Sequence, residues 1–147
     1  MSQATSQKTD IKSNTIDARG PRFSAGITVV VLATAIMTQS PWVLAAQAIV
    51  FAIGAFRGPQ FTPYAIIFRA LVRPRLKKAG TLEDVRPPQF AQSVGLLFAL
   101  VGLAGSLTGV SAIFIVATGA ALAAAFLNAA FDYCLGCEIY LLLLRLR

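Results

Sequence analysis

The chain has 147 residues, of which 56% are apolar and 13% charged, and its mean hydropathy is +0.70. Soluble domains carry about 25% charged residues, so this chain has too little polar surface to cover a globule in water. Its net charge of +7 would suggest nucleic acid in a soluble protein. Here the charges cluster outside long apolar runs, so no nucleic-acid partner is expected.

The polar N-terminus, rich in Ser, Thr, Gln and Lys, has no apolar core and reads as a disordered tail over residues 1–20 rather than a signal peptide. No Asp, Glu, Lys or Arg occurs between Arg22 and Arg57, or between Arg86 and Asp132. A span needs roughly 20 apolar residues to cross about 30 Å of hydrocarbon. Each run therefore accommodates two short spans joined by a turn. The first pair is expected at residues 23–37 and 42–56, broken at Thr38-Gln39-Ser40-Pro41 because proline suits the start of a helix but not its interior. Trp42 falls where an aromatic ring anchors at the membrane interface.

A basic loop follows over residues 57–89. Within it, Thr62-Pro63 reads as a helix cap followed by proline at the first helical position. The resulting helix, Pro63–Val72, would place Ile66, Ile67, Ala70 and Leu71 on one apolar face. It would either lie in the headgroup layer or pack on the bundle. Arg69, Arg73, Arg75, Lys77 and Lys78 form the candidate lipid- or partner-binding set. Pro74, Gly80, Pro87 and Pro88 mark turns and extended chain. The second pair of spans is expected at residues 90–107 and 110–131, with a turn at Gly105, Thr108 and Gly109. Small residues such as Ala117, Gly119, Ala120 and Ala121 would let the last span approach its neighbours closely, with Gly95 and Gly102 on the third span as the facing surface.

All 13 basic residues fall on one side of this arrangement: four before the first span, seven in the loop and two at the C-terminus. The positive-inside rule then places both termini and the loop in the cytoplasm, at the plasma (inner) membrane, against anionic lipid. The expected fold is an all-α membrane protein, with four transmembrane helices in two hairpins plus an interfacial helix. Pro21-Arg22-Phe23-Ser24 recurs as Pro88-Gln89-Phe90-Ala91, and each copy opens a hairpin. This implies a parallel pseudo-repeat about an axis along the membrane normal, or else shared interface composition.

Acidic groups and thiols meet at Asp132-Tyr133-Cys134-Leu135-Gly136-Cys137-Glu138. If the last helix continues through it, Asn128 and Asp132 are four apart, and Cys134 shares a face with Cys137, three on, and with Glu138, four on. Cys-x-x-Cys is the spacing of dithiol redox sites, in which one thiolate attacks and its neighbour resolves. Cys134, Cys137, Glu138 and Asp132 are the candidate catalytic set. The acidic flank disfavours thiolates, an objection that proton transfer by Glu138 would soften. The alternatives are two inert buried cysteines or a metal site. The chain has no His, so a metal has little support and no cofactor is expected. A structural disulfide is not expected in a reducing cytoplasm. Triad, two-His and nucleotide-loop templates all fail. Asp132 falls about 33 Å beyond Val110 at ~1.5 Å per residue, which places it at the interface rather than in mid-membrane.

Taken together, Gly20-Pro21-Arg22-Phe23, Val72-Arg73-Pro74-Arg75, Glu83-Asp84-Val85-Arg86-Pro87-Pro88-Gln89-Phe90-Ala91-Gln92, Phe126-Leu127-Asn128-Ala129-Ala130-Phe131 and Cys134-Leu135-Gly136-Cys137-Glu138 resemble the small bacterial membrane family called domain of unknown function 4395. The resemblance covers residues 17–144. It implies the architecture above, and thiol or sulfur chemistry alongside a thioredoxin-like or sulfurtransferase partner. The chain is also similar, more loosely, to four-helix thiol oxidoreductases of the vitamin K epoxide reductase type. It lacks their second cysteine pair, so quinone has weak support. Two functions are therefore carried forward. One is thiol-dependent redox or sulfur handling. The other is a membrane scaffold or transporter subunit that docks through its basic loop.

Overall fold

A computed structural model of the chain describes residues 15–17, 19–75 and 82–146. Of the expected tail over residues 1–20, residues 1–14 and 18 lie outside them, as do Lys77, Lys78 and the side chain of Arg73, whereas Thr15–Asp17 is a strand and a helix begins at Arg19, so the chain is ordered there. Among the described residues the chain is helical: α1 (Arg19–Thr38), α2 (Pro41–Phe56), a short α3 (Pro63–Ile67), α4 (Arg86–Leu107), α5 (Ser111–Phe131) and α6 (Leu135–Leu146). Two three-residue strands, β1 (Thr15–Asp17) and β2 (Leu82–Asp84), pair antiparallel.

Helices α1, α4 and α5 are each long and apolar enough to cross a membrane. At 20, 22 and 21 residues they extend about 30 Å or more at ~1.5 Å per residue. Helix α2 has 16 residues, about 24 Å, and is shorter than an ordinary span. Helices α1 and α4 each start four residues earlier than the hydropathy suggested. Pro21, Pro87 and Pro88 lie inside first turns, where the missing N–H would have had no intrahelical partner. The expectation of turns and extended chain at Pro87-Pro88 is thus corrected.

Helix α1 packs along α5, α2 along α4, and α4 along α5. Leu32, Ala35, Leu44, Ala48, Phe51, Ala99, Phe114 and Ala121 form the core between them. At one end of the bundle the α1–α2 and α4–α5 turns meet, with Gln39, Gly105, Ser106 and Gly109 around one small pocket. Gly109 adopts φ 80° there, a conformation that favours glycine. The strands, α3 and α6 gather at the other end. Gly102 faces Leu44 and Ala117 as a contact surface should, whereas Gly95 sits against Phe51 of α2 rather than against α5.

Two equivalent units build this bundle. Residues 15–17 and 82–84 lie 67 positions apart, and so do the starts of α1 and α4. Within that offset Asp17, Arg19, Pro21 and Phe23 match Asp84, Arg86, Pro88 and Phe90. The strand register, Thr15↔Asp84, Ile16↔Glu83, Asp17↔Leu82, maps onto itself when the units are exchanged. The contacts α1–α5 and α4–α2 also exchange. Arg22 Nε donates to Ala129 O near the end of α5 at 3.2 Å. Its counterpart Gln89 donates Nε2 to Ala55 O near the end of α2 at 2.9 Å. Each unit then ends in an arm docked on its own first helix. Phe68 stacks on Phe23 at 5.7 Å, and Tyr140 on Phe90 at 5.6 Å, with interplanar angles of 44° and 43°. Shared interface composition alone would not reproduce register, hydrogen bonds and ring geometry together.

The first arm departs from expectation. Its α-helical part ends at Ile67 and passes into a wider turn, Phe68–Val72. Ile66, Ile67 and Leu71 are exposed, while Thr62, Ala65 and Phe68 are buried. The bundle takes the other face through Phe23, so the apolar face points away from it, against the alternative in which that face packs on the bundle.

Candidate functional site

The last two helices are not continuous. Asp132 adopts φ 54° and ψ 32°, the left-handed conformation that Asp and Asn tolerate better than other side chains. Its N–H donates to Asn128 O at 3.1 Å, and that of Tyr133 to Leu127 O at 3.2 Å. These bonds occupy the carbonyls of Asn128 and Leu127 near the end of α5, as a left-handed C-terminal cap does. The expectation of one helix carrying residues 128–138 is therefore corrected: Asp132 ends α5, and Cys134 precedes α6.

Cys134 caps α6. Its Sγ accepts the N–H of Cys137 at 3.2 Å, and its carbonyl accepts that of Glu138 at 3.0 Å. Thr62 caps the first arm in the same way. Its Oγ1 accepts from Ala65 N at 3.3 Å and its carbonyl from Ile66 N at 3.1 Å. The two caps stand 72 positions apart, as do Phe68 and Tyr140. The second arm thus carries a cysteine at the cap and another at the third helical position, where the first arm carries Thr62 and Ala65.

Cys134 and Cys137 are disulfide-bonded, with Cα atoms 5.1 Å apart. A cap and the third position of a first turn lie within bonding range, which overrides the expectation against a disulfide. Both residues are half-buried, whereas Asp132 and Glu138 are exposed. Glu138 lies in the first turn of α6 and Arg145 in its last, the placement that a helix dipole favours. Among the described residues no group of three or more His, Cys, Asp or Glu gathers where a metal could be held.

Gly136, between the cysteines, is the contact that seats this turn. A Cβ there would lie 2.6 Å from the Ala91 Cβ and 2.7 Å from its Cα. The dithiol turn therefore lies flush on the N-terminal end of α4. The sequence pattern offered no reason to single out Gly136 or Ala91.

The basic set does not converge on this turn. Arg69 is exposed and donates to Gln60 O, and Arg75 is exposed. At the same place in the first unit, Tyr64 donates its hydroxyl to Gln47 Oε1 at 2.7 Å. Burial pushes the Tyr64 hydroxyl above its ordinary range.

A family model described as "Domain of unknown function (DUF4395)" matches residues 16–145. The chain belongs to that family. No curated protein and no solved structure matches it. Within this DUF4395 chain, the cysteine pair is the chemically distinctive departure from its own internal repeat.

Proposed function

We propose that this DUF4395 protein is a four-crossing membrane protein of the plasma (inner) membrane, with both termini cytoplasmic, and that Cys134 and Cys137 perform thiol–disulfide exchange or sulfur handling at the cytoplasmic face. The observation that carries the reading is the capped turn. A Cys-x-x-Cys pair at a helix start, half-exposed and within bonding distance, is the environment in which thiolates form and exchange. The first unit shows that the arm is built equally well with Thr62 and Ala65, so packing does not demand cysteines at these positions. Asp132 serves the turn as a helix terminator. Glu138 stands one residue from Cys137 as a proton acceptor for it. The exchange partner is a cytoplasmic protein with a reactive thiol or disulfide, of thioredoxin-like or sulfurtransferase type. Quinone and metal are not needed for this chemistry.

The test is alkylation trapping in intact cells, followed by replacement of both cysteines with serine. The expected result is a pair that cycles between oxidised and reduced forms and a mixed disulfide with a cytoplasmic protein. Loss of function is expected in the double variant, with membrane insertion unchanged. A fully functional double variant would sink the proposal. The scaffold reading draws on the exposed Arg69 and Arg75. It predicts instead that charge reversal at the arm disrupts a complex while alkylation is silent.

A further inference from the structure

We infer that Cys134 is the attacking sulfur of the pair and Cys137 the resolving one; the inference rests on the dithiol reading above. The first arm serves as an internal control for the reduced state. Thr62 has no sulfur partner, yet its Oγ1 holds the N–H three residues on at 3.3 Å, as Cys134 Sγ holds that of Cys137 at 3.2 Å. The first arm thus forms this cap without a disulfide, its Thr62 Oγ1 also donating to Pro59 O at 2.9 Å. When the bond is reduced, the Cys134 sulfur keeps its place over a turn whose N–H groups lack helical partners and whose dipole is positive. A thiolate is favoured there. Cys137 lies inside the helix and gives its N–H to Cys134, so the hydrogen bond between the two residues runs one way. Gly136 acts as a positioning residue, because it lets the turn rest on Ala91 without moving either helix.

The exchange then has a fixed order. The Cys134 thiolate attacks one sulfur of a partner disulfide. A Cys134–partner S–S bond forms, the partner's own S–S bond breaks, and the released partner thiolate takes up a proton. Cys137 loses its proton to solvent or to Glu138 and attacks the Cys134 sulfur. The mixed disulfide breaks, Cys134 and Cys137 become bonded, and the second partner thiolate leaves and is protonated. Two electrons pass from the pair to the partner. A dithiol donor reverses the same steps, so in either direction the mixed disulfide stands on Cys134.

The experiment uses the full-length protein, reduced and in detergent micelles, with iodoacetamide as probe at neutral pH. Cys134 in Cys137→Ser is expected to alkylate on the order of tenfold faster than Cys137 in Cys134→Ser. The difference should vanish after denaturation. Mass spectrometry of briefly alkylated wild-type protein should find Cys134 modified first, which covers the case in which a single variant folds poorly. Equal rates, or a faster Cys137, overturn the assignment. That outcome is separable from failure of the redox reading. Unequal rates with a functional double-serine protein would overturn the redox role alone, and equal rates with a non-functional one would overturn only the order of attack.

Discussion

Asp132 and Gly136 decide what the cysteines can do. Asp132 reverses the chain in a left-handed conformation, so α6 starts afresh and its first turn is free to be capped by Cys134. Gly136 holds that turn against backbone atoms of Ala91, which cannot swing aside as a side-chain tip would. Gly136→Ala is therefore expected to push α6 off α4 and to cost about 1–3 kcal/mol as an overpacked contact. The check is thermal unfolding in micelles together with the alkylation rate of Cys134. A variant with unchanged stability and thiol reactivity would show that the seat is unimportant. Little of this was visible in the sequence. Cysteine is not a common cap, and Asp132 lies in a stretch with no Gly or Pro to announce a break. Only Thr62, a recognisable cap beside Pro63, reveals Cys134 as its counterpart.

At the scale of elements, apolar runs and their punctuation located the four helices of the bundle. Ser40, Pro41 and Gly109 marked the turns because their backbone requirements are local. Helix starts were displaced because hydropathy does not register a polar first turn, and both α1 and α4 begin at arginines. Which face of the first arm is buried depended on Phe23, far away in the sequence, so periodicity marked an apolar face without deciding whether the bundle or the headgroup layer would take it. The short α2 poses the remaining question at this scale. Its two ends lie at opposite ends of the bundle, since Gln89 binds the carbonyl of Ala55 while Gln39 lines the far pocket. We expect it to cross, with a thinned bilayer or flanking side chains accommodating the deficit of about 6 Å against a 30 Å core. In the double-serine background, a cysteine at Gln39 should react with an impermeant maleimide from outside. One at Phe61 should react only after permeabilisation. Reaction of both from the same side would leave α2 on one face of the membrane.

The whole molecule is two interlocked units, and its core belongs to neither alone. Each unit's first helix runs along the second helix of the other. The strand pair joins one residue triplet from each unit, and each unit sends a side-chain N–H to the last turn of its partner's second helix. Leu32 and Ala35 of the first unit and Ala99, Phe114 and Ala121 of the second share one cluster. Membrane helices associate through such packing and hydrogen bonds rather than through chain connectivity, and joining the units mainly lowers the entropy of bringing them together. A chain cut between Arg75 and Leu82 should therefore reassemble when both fragments are made in the same cell. The fragments should co-purify, with a lower unfolding temperature than the intact chain, and the Cys134–Cys137 pair should keep its alkylation pattern. Either fragment expressed alone should be degraded or aggregate, because half of its packing surface would face lipid. Two fragments that are each stable and fail to associate would show that the units fold separately. In that case the dithiol arm would owe nothing to the first half of the chain.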